Sequence, residues 1–320
     1  MSFDVFRLKK SARRTLRSVS HTVTYEMVTL LGFLVQRLTR KQTQHFAVFI
    51  GDVMHRGLGI RRKLVHRNLA LTFPEKSSAE IDRIATAMYR NVAATLLEVM
   101  RLPLIRNRDD AAALVDIKGD DVFWEWQRSG KTGAVLVSAH YGNWELMAMA
   151  FGLLINPITI IVKRLRNERV DRKMNEYRTM RGNSVVYPKQ SLREGLRLLQ
   201  NGGTLAILGD QSDPDEANFG EFLGRRATMF HGAAFFTLRA GVPLFMPICT
   251  SNGDGRYTIT VRHIDTSDLS FNKADIATLA ARYTSAIEAQ IRQRPEEWFW
   301  LHDRWKRGGS AEWADQRSFL

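Results

Sequence analysis

The chain has 320 residues, enough for one large domain or two closely joined ones around a substantial core. Hydrophobic residues make up 44%, too few for a multi-span membrane protein, and the single cysteine, Cys249, excludes an internal disulfide framework and fits a reducing compartment. The net charge of +14 directs attention to anionic partners, and it is unevenly placed: residues 1–63 hold 13 basic and 3 acidic side chains.

The start, Met1 to Lys10, lacks the apolar stretch and small-residue cleavage site of a signal peptide. The apolar stretch Val23 to Val35, interrupted by Glu26, is shorter than the roughly 20 residues that span a bilayer. Lys9, Lys10, Arg13, Arg14 and Arg17 precede it, and Arg37, Arg40 and Lys41 follow it. Such a helix suits an anionic membrane surface, where each basic residue is worth about 1 kcal/mol. An ordinary amphipathic helix packed on its own domain fits the pattern equally well.

Residues 1–110 read as helical. Arg61 to Leu71 mixes basic and apolar positions at helical spacing, and Pro74 breaks it. Ser77-Ser78-Ala79-Glu80 offers a cap for the run Ile81 to Met100, which Pro103 ends. Met88, Val92, Thr95, Leu96 and Val99 are expected on its core face. After residue 114 the pattern alternates. Strands are expected at Ala134–Ser138, Ile158–Val162, Ser184–Tyr187, Thr204–Leu208, Leu244–Cys249 and Arg256–Arg262. Helices are expected at Asn143–Ile155, Glu168–Met180, Ser191–Gln200, His231–Arg239 and Ile276–Arg292. The expected fold class is α/β, a largely parallel sheet flanked by helices. It places a helical, membrane-associating region at 1–110 and an α/β domain at 111–320. Cys249, in an apolar stretch, reads as a small buried hydrophobe.

The densest chemistry is Ser138-Ala-His-Tyr-Gly-Asn-Trp-Glu145. His140 falls at the carboxyl end of a strand, where open α/β sheets bind ligands. Gly142 permits a tight turn, and Asn143 is a natural helix N-cap. Glu145 then lies in the first helical turn, where its carboxylate can hold the imidazole by Nδ1–H and leave Nε2 free as a base. No serine or cysteine occupies a nucleophile-elbow sequence, so the substrate is expected to supply the attacking hydroxyl. General-base catalysis of that kind is worth about 10²- to 10⁴-fold.

These residues resemble the H-x-G-N-W-E signature of the bacterial lipid A biosynthesis (late, Kdo2-lipid A) acyltransferases, within the wider glycerolipid acyltransferase group that carries H-x-x-x-x-D/E. The resemblance continues through Lys163-Arg164-Leu-Arg166-Asn167, Gly209-Asp210-Gln211, Phe219 to Thr228, His231-Gly232-Ala233, Gly241-Val-Pro243 with Pro247, and Trp300-Leu-His302-Asp-Arg304-Trp305-Lys306. Together these segments cover about residues 130–307 in the family's order. Departures are Phe222-Leu223-Gly224 in place of F-F-G, the run Arg239-Ala-Gly241-Val242-Pro243, and the acidic insertion Asp213 to Ala217. They bear on acyl or acceptor choice more than on reaction type.

The resemblance implies transfer of a fatty acyl chain from acyl-acyl carrier protein to a hydroxyl of a lipid A precursor. It places the reaction at the cytoplasmic face of the cell inner membrane, with no metal or redox cofactor. Carried over, His140 is the base and Glu145 its partner. Arg164 is the candidate for acceptor phosphate or the oxyanion, and Asp210 and Gln211 shape or bind at the site. His302, with Trp300 and Trp305, reads as interfacial or structural, with structure favoured, and His231 at a helix start reads as structural.

Other readings explain less. The eight histidines are scattered without H-x-x-x-H or H-E-x-x-H spacing, which disfavours a metalloenzyme. No nucleic-acid-binding signature accompanies the positive charge. A non-enzymatic membrane-binding protein leaves HYGNWE unused. An acyltransferase using acyl-CoA, or one acting on another lysophospholipid or glycolipid, is the nearest enzymatic rival.

Overall fold

The computed structural model describes residues 2–130, 133–212 and 218–307, with side chains from residue 19 onward. The basic side chains before that point and the acidic insertion at 213–217 lie outside the described residues.

Five helices come first: α1 (Ser2–Val35), α2 (Arg40–Asp52), α3 (Arg62–Thr72), α4 (Ser78–Arg101) and α5 (Arg108–Leu114). A π-helical turn, Val53–Gly57, extends α2. The expected cap of α4 is a capping box: Ser77 Oγ accepts from the Glu80 amide while the Glu80 carboxylate accepts from the Ser77 amide. Met88, Val92, Thr95 and Val99 are buried as their spacing predicts. Leu96 is not; it is 48% exposed, one helical step off that face.

The α/β part follows as β1 (Val115–Gly119), α6 (Asp121–Arg128), β2 (Ala134–Ser138), α7 (Trp144–Leu154), β3 (Ile158–Ile161), α8 (Glu168–Thr179), β4 (Ser184–Val186), α9 (Pro188–Gln200) and β5 (Thr204–Leu208). It continues with β6 (Phe219–Phe222), β7 (Arg225–Thr228), α10 (Gly232–Ala240), β8 (Leu244–Ser251), β9 (Tyr257–Ile264) and α11 (Lys273–Gln293). Seven strands form one sheet in the order β1-β9-β8-β2-β5-β3-β4. The run from β8 to β4 is parallel. β9 returns antiparallel on β8, and β1 lies parallel to β9 at the edge. The fold is therefore α/β with a mostly parallel sheet flanked by helices.

Four elements escape the periodicity of the sequence. β1 is a five-residue edge strand with alternating burial, and α6 is a short helix capped by Asp120. β6 and β7 form a separate antiparallel hairpin.

Alternation along the strands divides the core between two faces. Val135 and Val137 of β2, Leu205 and Ile207 of β5, and Leu244 and Met246 of β8 join α9, α10 and α11 on one face. Ala134 and Leu136 of β2 and Phe245 of β8 join α5, α6 and α7 on the other. Cys249 is fully buried there. The chain leaving β2 thus enters α7 on one face, while the chain leaving its neighbour β5 reaches α10 on the opposite face. That divergence is the topological switch point at which open α/β sheets form a crevice.

Candidate active site

The crevice is built by register. β2 and β5 pair in parallel with a constant offset, ending at Ser138 opposite Leu208. The ladder runs one step further, with the Gly209 amide donating to the Ser138 carbonyl at 2.8 Å. His140 and Asp210, each two residues beyond its strand, then meet. Asp210 Oδ1 lies 2.8 Å from His140 Nδ1, and Asp210 Oδ2 accepts from the His140 backbone amide at 3.0 Å and from Trp298 Nε1 at 2.8 Å. The Asp210 side chain is 1% exposed and that of His140 is 23% exposed.

Burial works to raise the Asp210 carboxyl, but the neighbouring His140 and the donors from His140 and Trp298 hold it below the usual carboxylate range. An ionised carboxylate only accepts, so Nδ1 of His140 carries the proton that faces Asp210, and the tautomer this selects has its lone pair on Nε2.

The loop around His140 is held from four sides. Gly142 has φ +54°, and a Cβ there would sit 1.7 Å from the Cys249 carbonyl oxygen. The Gly142 amide donates to Glu297 O at 2.9 Å, and its carbonyl accepts from Thr95 Oγ1 at 3.0 Å. Asn143 caps α7, its Oδ1 accepting from the Leu146 amide. The Phe299 amide donates to His140 O at 3.0 Å. Trp144 and Phe299 flank the imidazole, with ring centroids 5.3 and 6.2 Å from it. These half-buried rings give the imidazole an apolar border.

Glu145 is not the partner of His140. It is buried in the first turn of α7, where its carboxylate accepts from both Arg178 Nε, at 2.9 Å, and Arg178 Nη2 of α8. The reason is directional: a helical side chain follows its own face, and Glu145 points toward α8, while the strand neighbour supplies the carboxylate at Nδ1. Burial works against the Arg178 charge, and the Glu145 carboxylate more than restores it. Asp210 stands at the site beside His140, with its two oxygens held by His140 and Trp298.

Gln211 remains at the site, its Nε2 3.3 Å from both nitrogens of His140. Arg164 is exposed after β3, its guanidinium 4.5 Å from the Tyr187 ring. It borders a cavity of about 480 Å³ lined also by Asp171, Arg172, Asn175 and Tyr187. Asn175 of that lining accepts from Arg178, which joins the cavity wall to Glu145.

Sequence reasoning gave Trp298 no role and left His302 between an interfacial and a structural one. The C-terminal segment folds back over the site, so that Trp298 reaches Asp210 and His302 Nε2 lies 3.3 Å from Ser212 Oγ. Burial pushes the His302 imidazole down to about 4, so it is neutral at pH 7. The usable signal was the matched spacing of two strand ends; nothing local marks Trp298.

The model of the bacterial lipid A biosynthesis acyltransferases matches residues 12–307. A phosphatidylinositol mannoside acyltransferase of Mycolicibacterium smegmatis is 24% identical over 91% of this chain and 94% of its own. A lipid A biosynthesis lauroyltransferase of Escherichia coli is 26% identical over 80% of this chain and 83% of its own. Among solved structures, the 1-acyl-sn-glycerophosphate acyltransferase of Thermotoga maritima aligns with 80% of this chain and 98% of its own at 12% identity and a TM-score of 0.37. The match across nearly the whole described chain, around a histidine set at the switch point of an α/β sheet, makes this protein an acyltransferase belonging to the bacterial lipid A biosynthesis acyltransferase family.

Proposed function

We propose that this enzyme moves a fatty acyl chain from acyl-acyl carrier protein to a hydroxyl of a lipid A precursor, with His140 as general base and Asp210 as the carboxylate that orients it. The observation that carries the mechanism is the 2.8 Å contact between His140 Nδ1 and an ionised, buried Asp210, which directs the lone pair to Nε2, where Gln211 Nε2 is the neighbour at 3.3 Å. Nε2 takes the acceptor's hydroxyl proton as the oxygen attacks the thioester carbon. The tetrahedral intermediate then expels the thiolate, and the proton on Nε2 passes to that sulfur. Asp210 stays ionised and stabilises the imidazolium, as the acid of a catalytic triad does.

Glu145 positions rather than reacts: its pair with Arg178 ties α7, and with it the His140 loop, to α8. Arg164 and Arg172, at the rim of the cavity beside α8, suit the phosphates of an anionic glycolipid. Gln211 borders the imidazole and contributes to acceptor binding.

A membrane surface fits the outer face of α1. Val19, Val23, Met27, Leu30 and Leu34 recur at helical spacing and are each at least half exposed. The opposite side of the helix packs on the protein, with Val35 buried and the His21 carbonyl bonded to Asn167. No helix among the described residues is long and apolar enough to cross a membrane. A helix lying in the interface at the cytoplasmic face of the inner membrane accommodates both facts.

One observation favours a second reading. A relative matched over 91% of this chain is named for phosphatidylinositol mannoside, another anionic glycolipid. Purified protein incubated with acyl-acyl carrier protein or acyl-CoA and with a lipid A precursor, a phosphatidylinositol mannoside or a lysophospholipid separates the readings by mass spectrometry of products. Acylation of the lipid A precursor is expected; acylation of only one of the other acceptors overturns the first choice.

A further inference from the structure

Outside the active site, three metal-ligating side chains converge from three elements of the N-terminal helical layer. His55 lies on the π-helical turn after α2, His66 on α3 and Asp82 on α4. His55 Nε2 and His66 Nε2 are 3.1 Å apart, and Asp82 Oδ1 stands 3.7 Å from the first and 3.6 Å from the second. An ion set just off the plane of the three atoms, as a tetrahedral centre requires, lies about 2.1 Å from each, within the range of zinc bonds to imidazole nitrogen and carboxylate oxygen. We propose that these residues form a zinc-type divalent cation site, with His55 and His66 binding through Nε2, Asp82 through Oδ1 and water completing a tetrahedron.

The surroundings match a ligand set. His55 is fully buried, and its other nitrogen, Nδ1, lies 3.1 Å from Thr86 Oγ1. Donation from Nδ1 to that hydroxyl fixes the tautomer that leaves Nε2 bare, the arrangement metal-bound imidazoles adopt. The Tyr89 ring stacks on His55 with centroids 4.7 Å apart and stops it from turning. The π-turn itself, closed by the Leu58 amide on Val53 O at 2.7 Å, inserts an extra residue that rotates His55 inward, and such turns concentrate at functional sites. Arg62 Nη2 stands 3.7 Å from Asp82 Oδ1 and competes for it, but that side chain is half exposed and can yield the oxygen to a cation.

The site is structural, not catalytic. Asp82 lies thirteen residues before Thr95 on α4, about 20 Å along the helix from the residue that holds Gly142. A bound ion would clamp the π-turn, α3 and α4 together. The alternative is a metal-free pair in which His66 donates its Nε2–H to His55.

The test uses untagged, full-length protein in detergent, stripped with chelator and titrated with Zn²⁺ alone by calorimetry, and with Co²⁺ by visible absorption. One equivalent is expected, with the absorption pattern of tetrahedral cobalt and a rise in melting temperature. His66→Gln and Asp82→Asn alter partly exposed side chains and are expected to weaken binding by at least about 100-fold. His140→Ala is expected to leave it unchanged. Failure to bind Zn²⁺, or one-equivalent binding undiminished in both His66→Gln and Asp82→Asn, overturns the proposal and leaves the imidazole pair as a hydrogen bond.

Discussion

His140 and Asp210 face each other because β2 and β5 are adjacent parallel strands in the register that pairs Ser138 with Leu208. The carboxylate that matters to the imidazole is seventy residues away in the chain and one strand away in space. Asp210→Asn tests that assignment. The amide can present its nitrogen to Nδ1, which favours the wrong tautomer and removes the charge opposite the imidazolium. A fall in kcat of about 10²- to 10⁴-fold is expected, with KM little changed and a comparable loss in His140→Ala. Full turnover by Asp210→Asn would remove the orienting role.

The Glu145–Arg178 pair allows a test of whether Glu145 positions α7 or reacts. Glu145→Ala strands a guanidinium whose side chain is only 17% exposed and is expected to cost about 2–3 kcal/mol of stability, read from denaturant unfolding. Replacing both partners, as Glu145→Leu with Arg178→Met, removes the uncompensated charge and is expected to recover most of that loss. If Glu145 only positions α7, the double variant also regains activity in step with stability. A stable double variant with no turnover would return Glu145 to the chemistry.

Much of this was legible in the sequence, and the failures have physical reasons. Buried parallel strands such as Ala134–Ser138 and Thr204–Leu208 announce themselves as short apolar runs between helices. The Ser77 capping box and the Gly142 turn are local chemistry and read directly. The expected Glu145–His140 pair failed because five residues of spacing say nothing about which way a helical side chain leaves its axis. Trp298 and Asp210 depended on strand order and on the return of the C-terminal segment, neither of which one sequence encodes locally. The stripe on α1 was visible as an apolar run, but its exposure was not, since packing on its own domain fits the same spacing.

That stripe makes its own prediction. Met27 and Leu30 are 66% and 60% exposed, so replacing both with Asp removes apolar area from the surface without opening the core. Met27→Asp/Leu30→Asp is expected to lose co-flotation with vesicles containing anionic phospholipid while melting like the parent protein. Undiminished flotation would exclude this face as the membrane contact.

Glu297 links the C-terminal segment to the His140 loop and carries a pH signature. Its side chain is buried and pairs with Arg294, and its carbonyl accepts from the Gly142 amide. Burial, only partly opposed by Arg294, holds its carboxyl up at about 7, above the ordinary 4.5. A carboxyl raised in the folded state binds its proton more tightly there than in the unfolded chain. It therefore adds no penalty below about pH 4.5, and its ionisation destabilises the fold progressively as pH rises toward 7. Glu297→Gln abolishes that titration. Relative to the parent, the variant is expected to gain stability between pH 4.5 and 8, on the order of 3 kcal/mol across the window. Denaturant midpoints at a series of pH values read this directly, and an offset between the two proteins that does not vary with pH would mean that Glu297 ionises normally.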